Sequence, residues 1–81
     1  MSYNNQEKAY LRKIGENVRI TRDNKGWSQE ELGFESGVHR TYIGAVERGE
    51  RNISLLSLRK IAKALDTTVA LLLDIKDYEK K

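Results

Sequence analysis

The chain has 81 residues, 38% hydrophobic and 33% charged, with a formal net charge of +3 and a pI near 9.3. That length holds one domain with a modest core, about 60–65% of the unfolded surface being buried on folding, and the composition excludes the disordered class. The complete lack of cysteine excludes disulfides and thiol chemistry and fits a reducing compartment, while the mild positive charge leans toward a polyanionic partner without deciding for one.

The spacing of apolar residues predicts an all-α fold of five helices, with neither period-2 alternation nor Asn-Gly hairpin signals and no proline to break a helix. The start MSYNNQEK is polar and lacks signal-peptide character. A first helix runs from about Gln6 to Asn24, with Leu11, Ile14 and Val18 on one side and Lys8, Arg12, Lys13, Glu16 and Arg19 elsewhere. Lys25-Gly26 ends it, the glycine serving as a left-handed cap. Ser28 with Glu31 three residues on forms a capping box that opens a short second helix, ending near Glu35 or Ser36. A third helix is entered at Val38 or His39 and left at Gly49. After the loop from Arg48 to Ile53, Ser54 caps a fourth helix whose apolar stripe is Leu55, Leu58, Ile61, Ala62 and Leu65. Thr67 or Thr68 caps a fifth, from about Val69 to Tyr78, and the tail frays. The longest apolar run, Val69 to Leu73, falls far short of the roughly 20 residues of a membrane span. A cytoplasmic protein without membrane contact is expected.

The stretch from Gly37 to Arg51, GVHRTYIGAVERGER, carries the functional signal. Gly37 stands where the chain must turn between two helical patterns, and a glycine takes positive φ at little cost. Ile43 and Val46, with Val38 before them, can face one core. Arg40, Thr41, Gly44 and Ala45 fall on the other side, a surface with one long hydrogen-bonding side chain, one short one and no bulk. An ordinary solvated helix more often carries Glu and Lys there.

From Ile14 to Leu73 the sequence resembles the lambda-repressor/Cro-like helix-turn-helix family, also called the Xre family, and within it the small controller proteins of restriction–modification systems. The segments that carry the resemblance are IGENVRITRDNKGWSQEEL, SGVHRTYIGAVERGERNISL and LRKIAKAL. Gly33 and Gly37 stand at the small-residue and turn-glycine positions, and Ile43 and Val46 follow at the branched apolar ones. Gly33 departs from the family's usual alanine, at an expected cost of about 1 kcal/mol in helix propensity.

The resemblance implies a helix-turn-helix motif over about residues 28–48, in one DNA-binding domain spanning residues 1–81. Such a motif lays its third helix in the major groove of double-stranded DNA while the preceding helix crosses the backbone. Base reading then falls to Arg40, suited to guanine, and Thr41, suited to thymine, with Gly44 and Ala45 allowing close approach. Phosphate contacts are expected from Gln29, His39, Tyr42, Arg48, Arg51 and Asn52, with His39 alternatively capping the third helix. Arg22 and Glu47 occupy the positions of a structural ion pair, Arg22 perhaps also touching phosphate.

One such module reads few base pairs, so a homodimer on a palindromic or pseudo-palindromic operator is expected. Leu56, Val69, Leu71 and Leu72 are the candidate interface, because helix five carries more apolar residues than one inward stripe accommodates. Glu30, Glu31 and Glu35 form an acidic face that in lambda-type regulators can touch RNA polymerase. No enzyme, cofactor or metal is expected: with one histidine and no cysteine a single chain assembles no zinc cluster or Cys-His pair, and no glycine-rich phosphate loop occurs. A phage repressor or an antitoxin remains an alternative, as does a protein-interaction module that has lost DNA binding.

Overall fold

The computed structural model describes residues 2–75. Within them the chain forms α1 (Asn5–Asn24), α2 (Gln29–Ser36), α3 (Arg40–Glu47), α4 (Leu55–Ala64) and α5 (Val69–Leu72), with no strand. Every helix starts on a side chain that accepts from an exposed backbone N–H: Asn4, Ser28, His39, Ser54 and Thr68 in turn. The Ser28/Glu31 capping box forms as the sequence predicts. A second box, Asn4 with Glu7, starts α1 one residue before the expected boundary.

α3 lies between α1 and α2, α2 also packs on α4, and α5 closes against α4 and α1. Their shared core is Val18, Leu32, Val38, Ile43, Leu58, Ile61, Ala62, Leu65 and Leu72. α1 and α3 meet at Gly15, where a Cβ would be driven into the carbonyl oxygens of Val46 and Glu47. Only glycine permits that approach, and it fixes the C-terminal end of α3 on α1.

Three expectations are corrected. Leu55, predicted on the α4 stripe, is 77% exposed; as the first residue of α4 it lies outside the core that begins at Leu58. Leu72, predicted as a dimer contact, is 1% exposed and belongs to the core of its own chain. The fifth helix stops at Leu72 rather than near Tyr78, whose position lies outside the described residues. The physical reason is on α1: the Asn17 side-chain amide donates to the carbonyls of Leu72 and Asp74 at 2.9 and 3.0 Å, taking acceptors that a longer helix would need. Beyond that turn Ile75 is buried. No helix among the described residues is long and apolar enough to cross a membrane.

Candidate nucleic-acid interface

The turn between α2 and α3 is built on two glycines. Gly37 adopts a left-handed conformation at φ 76° and donates its N–H to the Gly33 carbonyl at 2.9 Å, which ends α2. A Cβ on Gly33 would lie 2.8 Å from the Val38 carbonyl oxygen, so the turn is tight against α2 and alanine would not fit without a shift. Propensity alone therefore misjudges Gly33: the backbone approach is what the glycine serves. The chain then enters α3 at His39, whose Nδ1 accepts from the Thr41 N–H at 3.1 Å. The capping role expected for this histidine is the one observed.

Arg40 and Thr41, the first residues of α3, are exposed. Tyr42 and Ala45 are half-buried, and Gly44 is buried, so the open face is confined to the helix's first turn. Gly44 was expected on a bare surface; instead Gln29 Oε1 and Arg48 Nη1 lie over it, 3.1 and 3.2 Å from where a Cβ would stand. Two polar side chains fold over the missing one and close the surface in the free chain.

Behind this face Arg22 and Glu47 form the expected ion pair. Arg22 Nε and Nη2 donate to Glu47 Oε2 and Oε1 at 2.7 and 2.9 Å, and Gln29 Nε2 donates to the same Oε1 at 3.0 Å. The side chains are 11% and 3% exposed, so the pair is close to fully withdrawn from water. Its hydrogen bond to Glu47 is the main reason that the Arg22 guanidinium is held above its usual pKa. Arg22 Nη1 is also taken, by the Trp27 carbonyl at 2.8 Å and Asp23 Oδ1 at 3.1 Å. With all of its nitrogens engaged, Arg22 ties α1 to α3 and to the start of α2 rather than presenting a donor edge to a phosphate.

The other arginines differ in what holds them. Arg40 Nη1 pairs with Glu30 on α2 at 3.3 Å. Arg48 Nε pairs with Glu50 at 3.1 Å, which raises the pKa of Arg48 through that hydrogen bond. Arg51 has its guanidinium 4.9 Å from the centroid of the Tyr42 ring, and the Tyr42 hydroxyl reaches the Asn52 carbonyl at 3.5 Å. Gln29, His39, Tyr42, Arg48, Arg51 and Asn52 are thus held around α3 by separate local contacts: the amide on Glu47, the cap on Thr41, the Arg48–Glu50 pair, the stacked Arg51 and the Asn52 carbonyl on the Tyr42 hydroxyl. Among the described residues no group of His, Cys, Asp and Glu could hold a metal ion.

Comparison with known proteins decides the family. A model described as helix-turn-helix matches residues 18–72, which include the whole of α2, the glycine turn and α3. This chain is a helix-turn-helix protein. It is 55% identical over 60 residues to the control protein C.SmaI of Serratia marcescens, covering 74% of this chain and 71% of that one. It is 50% identical over 62 residues to the control protein C.BamHI of Bacillus amyloliquefaciens, covering 75% and 76%. The crystal structure of the restriction–modification controller protein C.AhdI from Aeromonas hydrophila matches with a TM-score of 0.78 at 50% identity, covering 79% of this chain and 97% of that chain.

This helix-turn-helix chain also exposes large apolar side chains on α2, α4 and α5. Leu55 and Leu56 on α4 and Leu71 on α5 are 77%, 71% and 62% exposed, while Val69 is half-buried against the core. Phe34 on α2, within the motif, is 85% exposed in a groove shared with Trp27, Glu30, Glu31 and Glu35. Sequence reasoning missed Phe34. The available signal was its position, two residues from the buried Leu32 and so on the far side of a short helix.

Proposed function

We propose that the chain is a sequence-specific DNA-binding transcriptional regulator, a controller protein of a restriction–modification system that acts as a homodimer on a palindromic or pseudo-palindromic operator. The observation that carries the reading is a pair of exposed hydrogen-bonding side chains, Arg40 and Thr41, at the N-terminus of a short helix that follows the left-handed Gly37. Side chains at that end of a recognition helix are the ones that reach base edges in the major groove. The similarity to named control proteins supports the controller role.

Leu55, Leu56 and Leu71 supply an apolar surface for a second copy, and two such copies would place their α3 helices on half-sites about 34 Å apart. Glu31 and Glu35 around the exposed Phe34 offer a face for RNA polymerase, with Glu30 at its edge. No catalytic step, cofactor or membrane contact enters the reading, and a cytoplasmic location follows from it.

Selection of bound duplexes from a random pool tests the proposal. A palindromic sequence should be enriched and bound far more tightly than its scramble, and Arg40→Ala should cost about 1–3 kcal/mol on that sequence and relax one base position. Recovery of no preferred sequence, with binding lost at physiological salt, would refute it. Copurification of a second protein from the native operon would favour an antitoxin instead.

A further inference from the structure

Arginine reads guanine by donating two parallel hydrogen bonds from one edge of its guanidinium. The edges that remain free after intramolecular pairing therefore separate Arg22, Arg48 and Arg40. Arg22 has none, since Nε, Nη1 and Nη2 are all engaged. Arg48 has given Nε to Glu50. Arg40 has given only Nη1, in a single contact to Glu30 Oε2, and it has no other partner among the described residues. Its Nε–Nη2 edge is whole.

Glu30 lies on α2, while Arg40 is the first residue of α3, so the contact spans the glycine turn and ties the direction of the arginine to the body of the motif. Held at one nitrogen, an otherwise mobile side chain has lost part of its rotamer freedom before DNA arrives. A base edge that meets the open Nε–Nη2 side needs no change in the Glu30 contact. A phosphate out of reach of that edge could be met only if Arg40 left Glu30, and the carboxylate beside it repels the backbone.

We propose that Glu30 is a positioning residue for Arg40: it aims the Nε–Nη2 edge at a guanine and opposes use of the same arginine as a sequence-blind phosphate clamp. The proposal rests on the DNA-reading assignment above and adds a specificity determinant on α2, outside the reading helix. Arg51, stacked on Tyr42 and paired with no carboxylate among the described residues, is the contrasting case, a cation available to any sequence.

The test is Glu30→Gln, with dissociation constants measured by fluorescence anisotropy on the enriched duplex, its scramble and single-base variants. Gln keeps the length and an acceptor oxygen but removes the charge. The ratio of scrambled to selected dissociation constants should fall about two- to fivefold, the range for an exposed ion pair. The loss should be concentrated at the base position that Arg40→Ala relaxes. In an Arg40→Ala background Glu30→Gln should leave the ratio unmoved, as should Asp66→Asn, a like loss of charge in the turn between α4 and α5. A Glu30→Gln change of the same factor on both duplexes, or an undiminished effect without Arg40, would overturn the positioning role while leaving the DNA-reading assignment intact. Failure to enrich any duplex would overturn both. Urea midpoints matching the wild type establish that each variant is folded.

Discussion

Glu47→Ala should remove about 3 kcal/mol of stability. The carboxylate accepts from Arg22 Nε, Arg22 Nη2 and Gln29 Nε2 at 2.7, 2.9 and 3.0 Å, and its side chain is 3% exposed. Its loss strands two guanidinium nitrogens and one amide where water has little access. Breaking a buried pair from one side costs about 3–5 kcal/mol. The low end applies because Arg22 is 11% exposed and keeps Trp27 and Asp23 as partners. Urea denaturation followed by circular dichroism measures it: with a slope of about 1 kcal/mol per molar for so small a chain, the midpoint should fall by about 3 M. The compensated double change Arg22→Met with Glu47→Leu should recover most of that loss, since it removes the stranded charge along with the pair. A Glu47→Ala midpoint within about 0.5 M of wild type would refute the reasoning, for it would mean that the guanidinium finds water or another acceptor at no cost.

Gly15→Ala offers a second check on α1 and α3. Alanine gains about 1 kcal/mol in helix propensity, yet its Cβ must displace the Val46 and Glu47 carbonyls. A net loss of about 1–3 kcal/mol is expected, seen as a lower melting temperature; a higher one would show that the two helices separate freely. The adjacent residues Leu71 and Leu72 should respond in opposite ways. Leu71→Lys, at an exposed site, should change stability by less than about 0.5 kcal/mol and give monomer mass in light scattering, whereas Leu72→Ala should cost about 2–5 kcal/mol. A Leu71→Lys chain that still scatters as a dimer would remove α5 from the proposed interface.

What was legible in the sequence follows the range of the forces involved. Helix caps act over three residues, so Ser28 and Ser54 could be read directly and the fifth cap narrowed to Thr67 or Thr68, of which Thr68 is the one used; left-handed turns are marked by Gly26, Gly37 and Gly49. The Arg22–Glu47 pair spans 25 positions and was accessible only through family resemblance. Leu55 shows the limit of periodicity: its spacing from Leu58 is helical, but a stripe is buried only where another helix lies opposite. Gly44 shows a different limit. A residue without a side chain looks like an open surface in one dimension, and here Gln29, fifteen positions earlier, and Arg48, four later, cover it. Gly15 carried no local signal at all, because the surface it accommodates belongs to another helix.

The His39 cap orients its ring, with Nδ1 turned to the backbone of α3. An Nδ1 that accepts from the Thr41 backbone leaves Nε2 as the ring's donor nitrogen in the capped arrangement. One nitrogen thus completes α3 while the opposite one is a donor on an exposed side chain, beside the face that Arg40 and Thr41 occupy. Capping and phosphate binding are therefore compatible uses of a single ring. Asparagine in its place can supply the acceptor for Thr41 but lacks the reach of Nε2, so His39→Asn should keep the melting temperature while lowering affinity for selected and scrambled duplexes by the same factor; unchanged affinity would remove His39 from the proposed phosphate contacts.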